Sequence, residues 1–138
     1  MMRKLDQRGV AALEFCLVAV PLFMLMFAIF DLGRYAITMQ SLRSLANAGA
    51  RATMIKCYTP AVIVASSPSG CTDINTYLPD AQKQDAAPYL YVAGLTPTMG
   101  TTSGASALTV TASVSFTMIM PIWGATFTNP STSTQIPF

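Results

Sequence analysis

Glu14 is the residue whose type and position most clearly require chemistry. It is the one charged side chain in the apolar run of residues 10–30. An ionised carboxylate inside a membrane-length apolar segment costs several kcal/mol unless an opposite charge pairs with it or a protein interior surrounds it. The sequence therefore predicts that Glu14 has a partner, and it argues against a lone helix that faces lipid on every side.

Residue types that commonly perform catalysis or bind metals are scarce. The chain has no histidine, which removes the usual acid–base residue at neutral pH and the commonest metal ligand. Lys83 stands between Asp80 and Asp85, which indicates a solvated turn rather than the pocket of a nucleophile. Acidic residues outnumber basic ones after residue 57, so no nucleic-acid partner is predicted. We therefore expect a protein that is not an enzyme and that uses no metal or other cofactor.

Composition and charge distribution indicate a membrane protein. The chain is 52% hydrophobic and only 10% charged, and residues 10–30 are long enough to cross a bilayer as a helix. Arg3, Lys4 and Arg8 precede this run, and positive charges of this kind keep a helix end in the cytoplasm. Everything after residue 30 is therefore expected outside the cytoplasm.

The cysteines fit this orientation. Cys57 and Cys71 both fall in the exported part, where an oxidising compartment allows a disulfide to form. We predict that they pair, with two free buried thiols as the alternative. Cys16 lies in the apolar run and is interpreted as a small hydrophobic residue.

Three interpretations of the N-terminus compete. A cleaved secretory signal needs small residues soon after the apolar run, but the nearest such site, residues 46–48, lies too far downstream. An uncleaved anchor explains the length of the run and its flanking charges, yet it gives no role to Gly9 or Glu14. A leader that is cut after Gly9 gives a role to both residues.

The N-terminal residues resemble those of a known family. A basic leader that ends in Gly9, with Glu14 at the fifth position after it, is similar to a type IV prepilin. Over residues 8–53 the chain more closely resembles the TadE-like minor pilins of tight adherence (Tad/Flp) pili. This resemblance is carried by Pro21 and by two short segments, Asp31, Leu32, Gly33 and Arg34 followed by Ala46, Asn47, Ala48, Gly49, Ala50 and Arg51.

The resemblance implies a role for each of several residues. A prepilin peptidase is expected to cut between Gly9 and Val10. Glu14 and Phe15 are expected to form an assembly contact, with Phe15 standing where the cleavage motif of this system often has tyrosine. Pro21 lacks an amide hydrogen and clashes with the preceding turn, so it predicts a helix kink or local loosening.

The expected function follows from the same resemblance. It implies a minor pilin or pseudopilin that takes part in the assembly or initiation of an adhesive Tad pilus. The implied partners are the prepilin peptidase, the major Flp-type pilin, other minor pilins, the inner-membrane Tad assembly platform and membrane lipid. The expected location is the bacterial inner membrane, with the N-terminus cytoplasmic and the head periplasmic, or an extracellular pilus after assembly. The alternative is a single-pass anchor that presents an adhesive or sensory head outside any filament.

The expected fold is α+β, with residues 1–9 as leader, 10–54 as transmembrane and stalk helix, and 55–138 as a small head. Residues 108–118 alternate between apolar and hydroxylated side chains, which predicts a half-buried antiparallel strand. Shorter strands are expected at 61–65 and 89–92, a helical turn at 80–87, a flexible connection at 100–104, and an apolar cluster at 118–123 that serves the core or a subunit contact. The strand is expected to pack on an apolar stripe of the stalk formed by Tyr35, Met39, Leu42, Ala46, Gly49 and Thr53.

Overall fold

A single long helix forms the N-terminal half of the protein in the computed structural model, which describes residues 7–120 and 129–138. Helix α1 comprises Gln7–Thr53, and a π-helical turn, Met54–Tyr58, joins it directly to α2, Thr59–Ile63. By length and composition, the continuous helix Gly9–Ile63 is the one candidate membrane span within the described residues. The stalk boundary expected at residue 54 falls where α1 gives way to the π-helical turn.

The head combines short helical segments with a small sheet. A 3-10 turn, Pro68–Gly70, precedes three short helices: α3 (Ile74–Tyr77), α4 (Asp80–Ala86) and α5 (Pro88–Val92). Three antiparallel strands follow in the spatial order β1-β2-β3: β1 (Thr98–Ser103), β2 (Ala107–Ser113) and β3 (Ser131–Pro137). The predicted α+β class is therefore confirmed, with a long apolar helix followed by a three-stranded antiparallel sheet.

The two halves of α1 differ in what surrounds them. Side chains along residues 10–30 are almost all exposed, as expected for a segment that lies in lipid. Beyond residue 30 the predicted apolar stripe is covered: Leu42, Ala46, Gly49 and Thr53 are buried, while Tyr35 and Met39 are half-buried. The opposite side of the helix, formed by Gln40, Arg43, Ser44, Asn47 and Arg51, is exposed.

The central strand of the sheet covers the stripe. Leu108, Val110 and Ala112 of β2 are fully buried and alternate with half-buried neighbours. A Cβ atom on Gly49 would lie 2.6 Å from Met99 Cε and 3.1 Å from Val110 Cγ1. Because real Cβ atoms do not approach other atoms so closely, glycine at position 49 allows the sheet to pack tightly on α1.

The alternating burial predicted for residues 108–118 continues beyond the residues of β2 that pair with β1 and β3. β2 ends at Ser113, which pairs with Thr98 of β1 and Ser131 of β3, the terminal residues of those strands. Val114 and Phe116 nevertheless remain buried, and the residues next to them remain more exposed. The alternation therefore correctly predicted which side chains face the core as far as Phe116, while the strand itself is shorter.

Three expectations about the head are wrong. Residues expected as strands at 61–65 and 89–92 lie largely in α2 and α5, and Pro88 is the first residue of α5. Proline is well suited to that position, since the amide hydrogen it lacks is not needed there. The connection expected at 100–104 is mostly the second half of β1, where Thr101 is paired with Val110. The helical turn expected at 80–87 is confirmed as α4.

The surroundings of Lys83 also correct the sequence interpretation. Its side chain is buried rather than solvated, and Nζ donates to Asn75 Oδ1 at 2.9 Å and to Asp80 Oδ1 at 2.8 Å. The bond to Asn75 connects α4 with α3, and the bond to Asp80 lies within α4. Burial raises the pKa of nearby Tyr91 above its usual 10.0, while the Lys83 charge opposes this shift and the Asp80 charge adds to it.

A disulfide joins the end of the stalk to the head, as predicted. Cys57 in the π-helical turn is bonded to Cys71, with the two Cα atoms 5.8 Å apart and a sequence separation of 14. Closing a loop of this length contributes about 3 kcal/mol in the chain-entropy estimate. Lys56 Nζ donates to the Tyr77 carbonyl at 2.7 Å from the same turn, so the start of the head is fastened at two adjacent positions.

Candidate functional site

The predicted processing site lies within regular helix. α1 begins at Gln7, so Gly9 and Val10 have helical backbone. A Cβ atom on Gly9 would have nothing within 4 Å, in contrast to the crowded position of Gly49. Packing within the described chain therefore gives no reason for glycine at position 9. Cleavage at this peptide bond stays a prediction.

The carboxylate predicted to need a partner has none within the described chain. Glu14 is exposed, and no side chain in 9–120 or 129–138 forms a hydrogen bond or ion pair with it. Phe15 is also exposed, with 71% of its surface accessible. Val10 and Glu14 are four positions apart on one helix, so they lie on the same face. A partner for Glu14 stays a prediction.

Pro21 lies inside α1, which is assigned as helix without interruption on both sides of it. Proline cannot donate the hydrogen bond that the carbonyl of Leu17 accepts in a regular helix. The predicted kink, and the alternative of local loosening between residues 17 and 21, both stay predictions.

A second carboxylate, Asp31, forms a site that sequence reasoning missed. Its side chain is fully buried. Oδ1 accepts a hydrogen bond from the backbone N–H of Ile119 at 3.1 Å, and Oδ2 accepts one from Met120 at 2.8 Å. Hydrogen bonds to an ionised acceptor are stronger than neutral ones. Asp31 therefore holds the backbone at residues 119 and 120 against the first helical turn after the apolar run.

Aromatic and cationic contacts extend this attachment along α1. The Arg34 guanidinium lies 5.3 Å from the ring centroid of buried Phe116, and its Nη1 is 3.6 Å from Asp31 Oδ1. Tyr35 meets the same ring edge-on, with centroids 5.9 Å apart. We define the clamp as Asp31, Arg34, Tyr35 and Phe116 together with the backbone of residues 119 and 120. It fastens the lower edge of the head, the part nearest the apolar run, to α1 directly beyond the membrane-length segment.

The sequence contained part of the signal for the clamp. Asp31 directly follows the apolar run, and Arg34 stands one helical turn later, the spacing of an ion pair on a helix. The acceptor's main partners lie 88 and 89 residues further along the chain, and backbone N–H groups carry no residue-type signature. The helical half of the clamp was therefore visible in the sequence, and its head half was not.

These features define a class of protein: an α+β head carried on one long apolar N-terminal helix that suggests membrane anchoring. Residues 9–51 match the family model described as TadE-like protein. The match begins at Gly9, includes Glu14, Asp31 and Arg34, and ends just before α1 does. It confirms the predicted resemblance and indicates a protein associated with the Tad pilus. No curated protein sequence and no solved structure matches the chain.

Proposed function

We propose that this chain is a minor pilin or pseudopilin that takes part in the assembly or initiation of a Tad-type pilus. It is inserted through residues 10–30 with its head outside the cytoplasm, and a prepilin peptidase removes residues 1–9. The observation that carries the proposal is Glu14: it lies inside the TadE-like match, on a lipid-length helix, without a partner in the described chain. Its role is structural rather than enzymatic, which the pilus association of the family supports.

Cleavage after Gly9 supplies the missing charge. It frees the amine of Val10, a cation that lies on the same face of α1 as Glu14. This amine pairs with Glu14 of its own chain or of a neighbouring subunit, which offsets the cost of a carboxylate in an apolar environment. Cleavage also removes Arg3, Lys4 and Arg8, whose charges hold the helix end in the cytoplasm. The processed subunit is then able to move out of the bilayer.

The exposed apolar surface of α1 serves two environments in turn. Before assembly, residues 10–30 contact membrane lipid. During assembly the same surface, with Glu14 and Phe15 at its lower end, contacts the major Flp-type pilin, other minor pilins and the inner-membrane Tad platform. The alternative function, a single-pass anchor with an adhesive or sensory head, accounts for the exposed helix but leaves Glu14 without a partner.

Processing tests the proposal directly. Co-expression with the cognate peptidase should yield a chain that begins at Val10, and Gly9→Leu should keep its leader. Gly33→Leu is the matched control, because a Cβ at either glycine has nothing within 4 Å, so both side chains leave the backbone into open space. Intact-mass measurement of membrane-extracted protein distinguishes the two forms. Full-length wild-type protein in cells that make pili would overturn the proposal in favour of the anchor.

A further inference from the structure

We propose that the loop at residues 117–120 rests on the outer surface of the lipid bilayer and inserts Ile119 into its interfacial layer. The head would thus contact the membrane at a second place, beside the helix that anchors it. This inference rests on insertion of α1 but not on leader cleavage or pilus assembly.

The clamp fixes the level of this loop relative to the membrane. The apolar run ends at Phe30, and Asp31, the next residue, accepts hydrogen bonds from the backbone at 119 and 120 at 3.1 and 2.8 Å. One residue of helix rises only about 1.5 Å. A helix that spans the bilayer with residues 10–30 therefore places the backbone of 119 and 120 within a few ångströms of the hydrocarbon boundary.

The exposed side chain at this level is apolar. Ile119 has 62% of its surface accessible, and the residues that flank Asp31 on α1, Phe30 and Leu32, are 58% and 42% accessible. A single exposed isoleucine elsewhere on a protein would need no explanation. Here it is exposed at a height that two hydrogen bonds fix beside the end of the apolar run, so burial in the lipid interface removes apolar area from water.

The polar groups of the loop are compatible with this position. Backbone N–H groups that enter an apolar layer must have acceptors, and Asp31 already accepts those of residues 119 and 120. The Arg34 side chain remains 41% exposed above the Phe116 ring. A partly exposed guanidinium at this level suits contact with lipid phosphate groups, which arginine binds well. The chemistry of the partner is therefore that of a phospholipid surface.

The experiment uses the full chain in vesicles of phosphatidylethanolamine and phosphatidylglycerol. Single cysteines are introduced as Ile119→Cys, Leu25→Cys and Ile63→Cys in a Cys16→Ser background, under conditions that keep the Cys57–Cys71 disulfide intact. Each is labelled with an environment-sensitive fluorophore and exposed to lipids that carry a nitroxide quencher just below the headgroup. Ile63 is the matched control, since it is 78% exposed and lies about 48 Å from residue 31 along the helix.

We expect blue-shifted emission and loss of most fluorescence at position 119, and neither effect at position 63. The label at position 25 reports insertion of α1 independently. If it is in lipid while 119 behaves like 63, this inference is wrong and membrane insertion stands. If 25 is also in water, both insertion and the inference fail. Protection of 119 that needs co-reconstituted major pilin would show a protein contact instead of a lipid contact, and would overturn the proposal.

Discussion

Removal of the Asp31 carboxylate should release the lower edge of the head from the stalk. In Asp31→Ala, the N–H groups of Ile119 and Met120 lose their acceptor, and Arg34 loses the carboxylate 3.6 Å away. Because Asp31 is fully buried, water does not replace these bonds while the loop stays in place. The loop is therefore expected to open.

The size of the effect follows from the contacts. A hydrogen bond to a charged group contributes about 1.5–3 kcal/mol, so two of them amount to about 3–6 kcal/mol. Arg34 is partly exposed, so its ion pair adds at most about 1 kcal/mol. The contact of buried Phe116 with Tyr35 does not involve Asp31, so we expect local opening of residues 117–120 rather than unfolding of the head. At about 1.4 kcal/mol per factor of ten, the open state should gain roughly two to four orders of magnitude in population.

Amide hydrogen exchange on the full chain in a membrane mimetic measures this opening. The amides of Ile119 and Met120 should exchange faster in Asp31→Ala by that factor. Asp31→Asn keeps one carbonyl acceptor and should show a smaller increase. Asp85→Ala, which removes an exposed aspartate from α4, should leave both amides unchanged. Equal protection in wild type and Asp31→Ala, or an equal increase in Asp85→Ala, would refute the assigned role of Asp31.

Two further predictions concern other positions on α1. Glu14→Ala should be processed normally yet lose co-purification with the major pilin, because an unpaired buried charge costs about 3–5 kcal/mol. Glu14→Gln should have a milder effect on co-purification. Normal pilus counts for the alanine variant would favour the anchor alternative. Gly49→Ala should gain less thermal stability in detergent than Gly33→Ala, because Met99 Cε must move away and Val110 Cγ1 lies 3.1 Å from the new Cβ, and such overpacking offsets the helix gain of about 1 kcal/mol. Gly33→Ala meets no neighbour within 4 Å and should raise stability, so an equal or larger gain at position 49 would contradict this account.

The parts of the fold that follow from strong periodicity were predictable. The stalk repeats apolar residues at helical spacing from Tyr35 to Thr53, and the structure buries or half-buries every member of that stripe. Alternation along residues 108–116 likewise predicted which side chains face the core. Backbone pairing between strands does not follow the burial pattern. β2 ends at Ser113, opposite Thr98 and Ser131, the first residues of its two neighbours. A burial pattern therefore marks a face reliably and marks the end of a strand poorly.

Short segments and buried charges were less predictable. Apolar runs of about five residues have no distinguishing period, so the sequence predicts strands at 61–65 and 89–92, although Pro88 at the start of α5 favours a helix. β1 is polar and contains Gly100, and its pairing with β2 depends on contacts outside its own sequence. Lys83 and Asp31 are buried because particular polar partners reach them. Partners of this kind are set by tertiary structure rather than by residue type.

The two carboxylates on the lower part of α1 illustrate a difference that bears on function. Asp31 lies at the outer end of the apolar run and obtains its donors from the head. Glu14 lies about 25 Å lower along the helix, at about 1.5 Å per residue, beyond the reach of the head that the clamp holds at Asp31. The side chains of residues 9–120 and 129–138 leave Glu14 exposed and without a polar partner. Lipid cannot satisfy an ionised carboxylate, so the proposed function gives Glu14 its partner, either the chain's own freed N-terminus or another subunit.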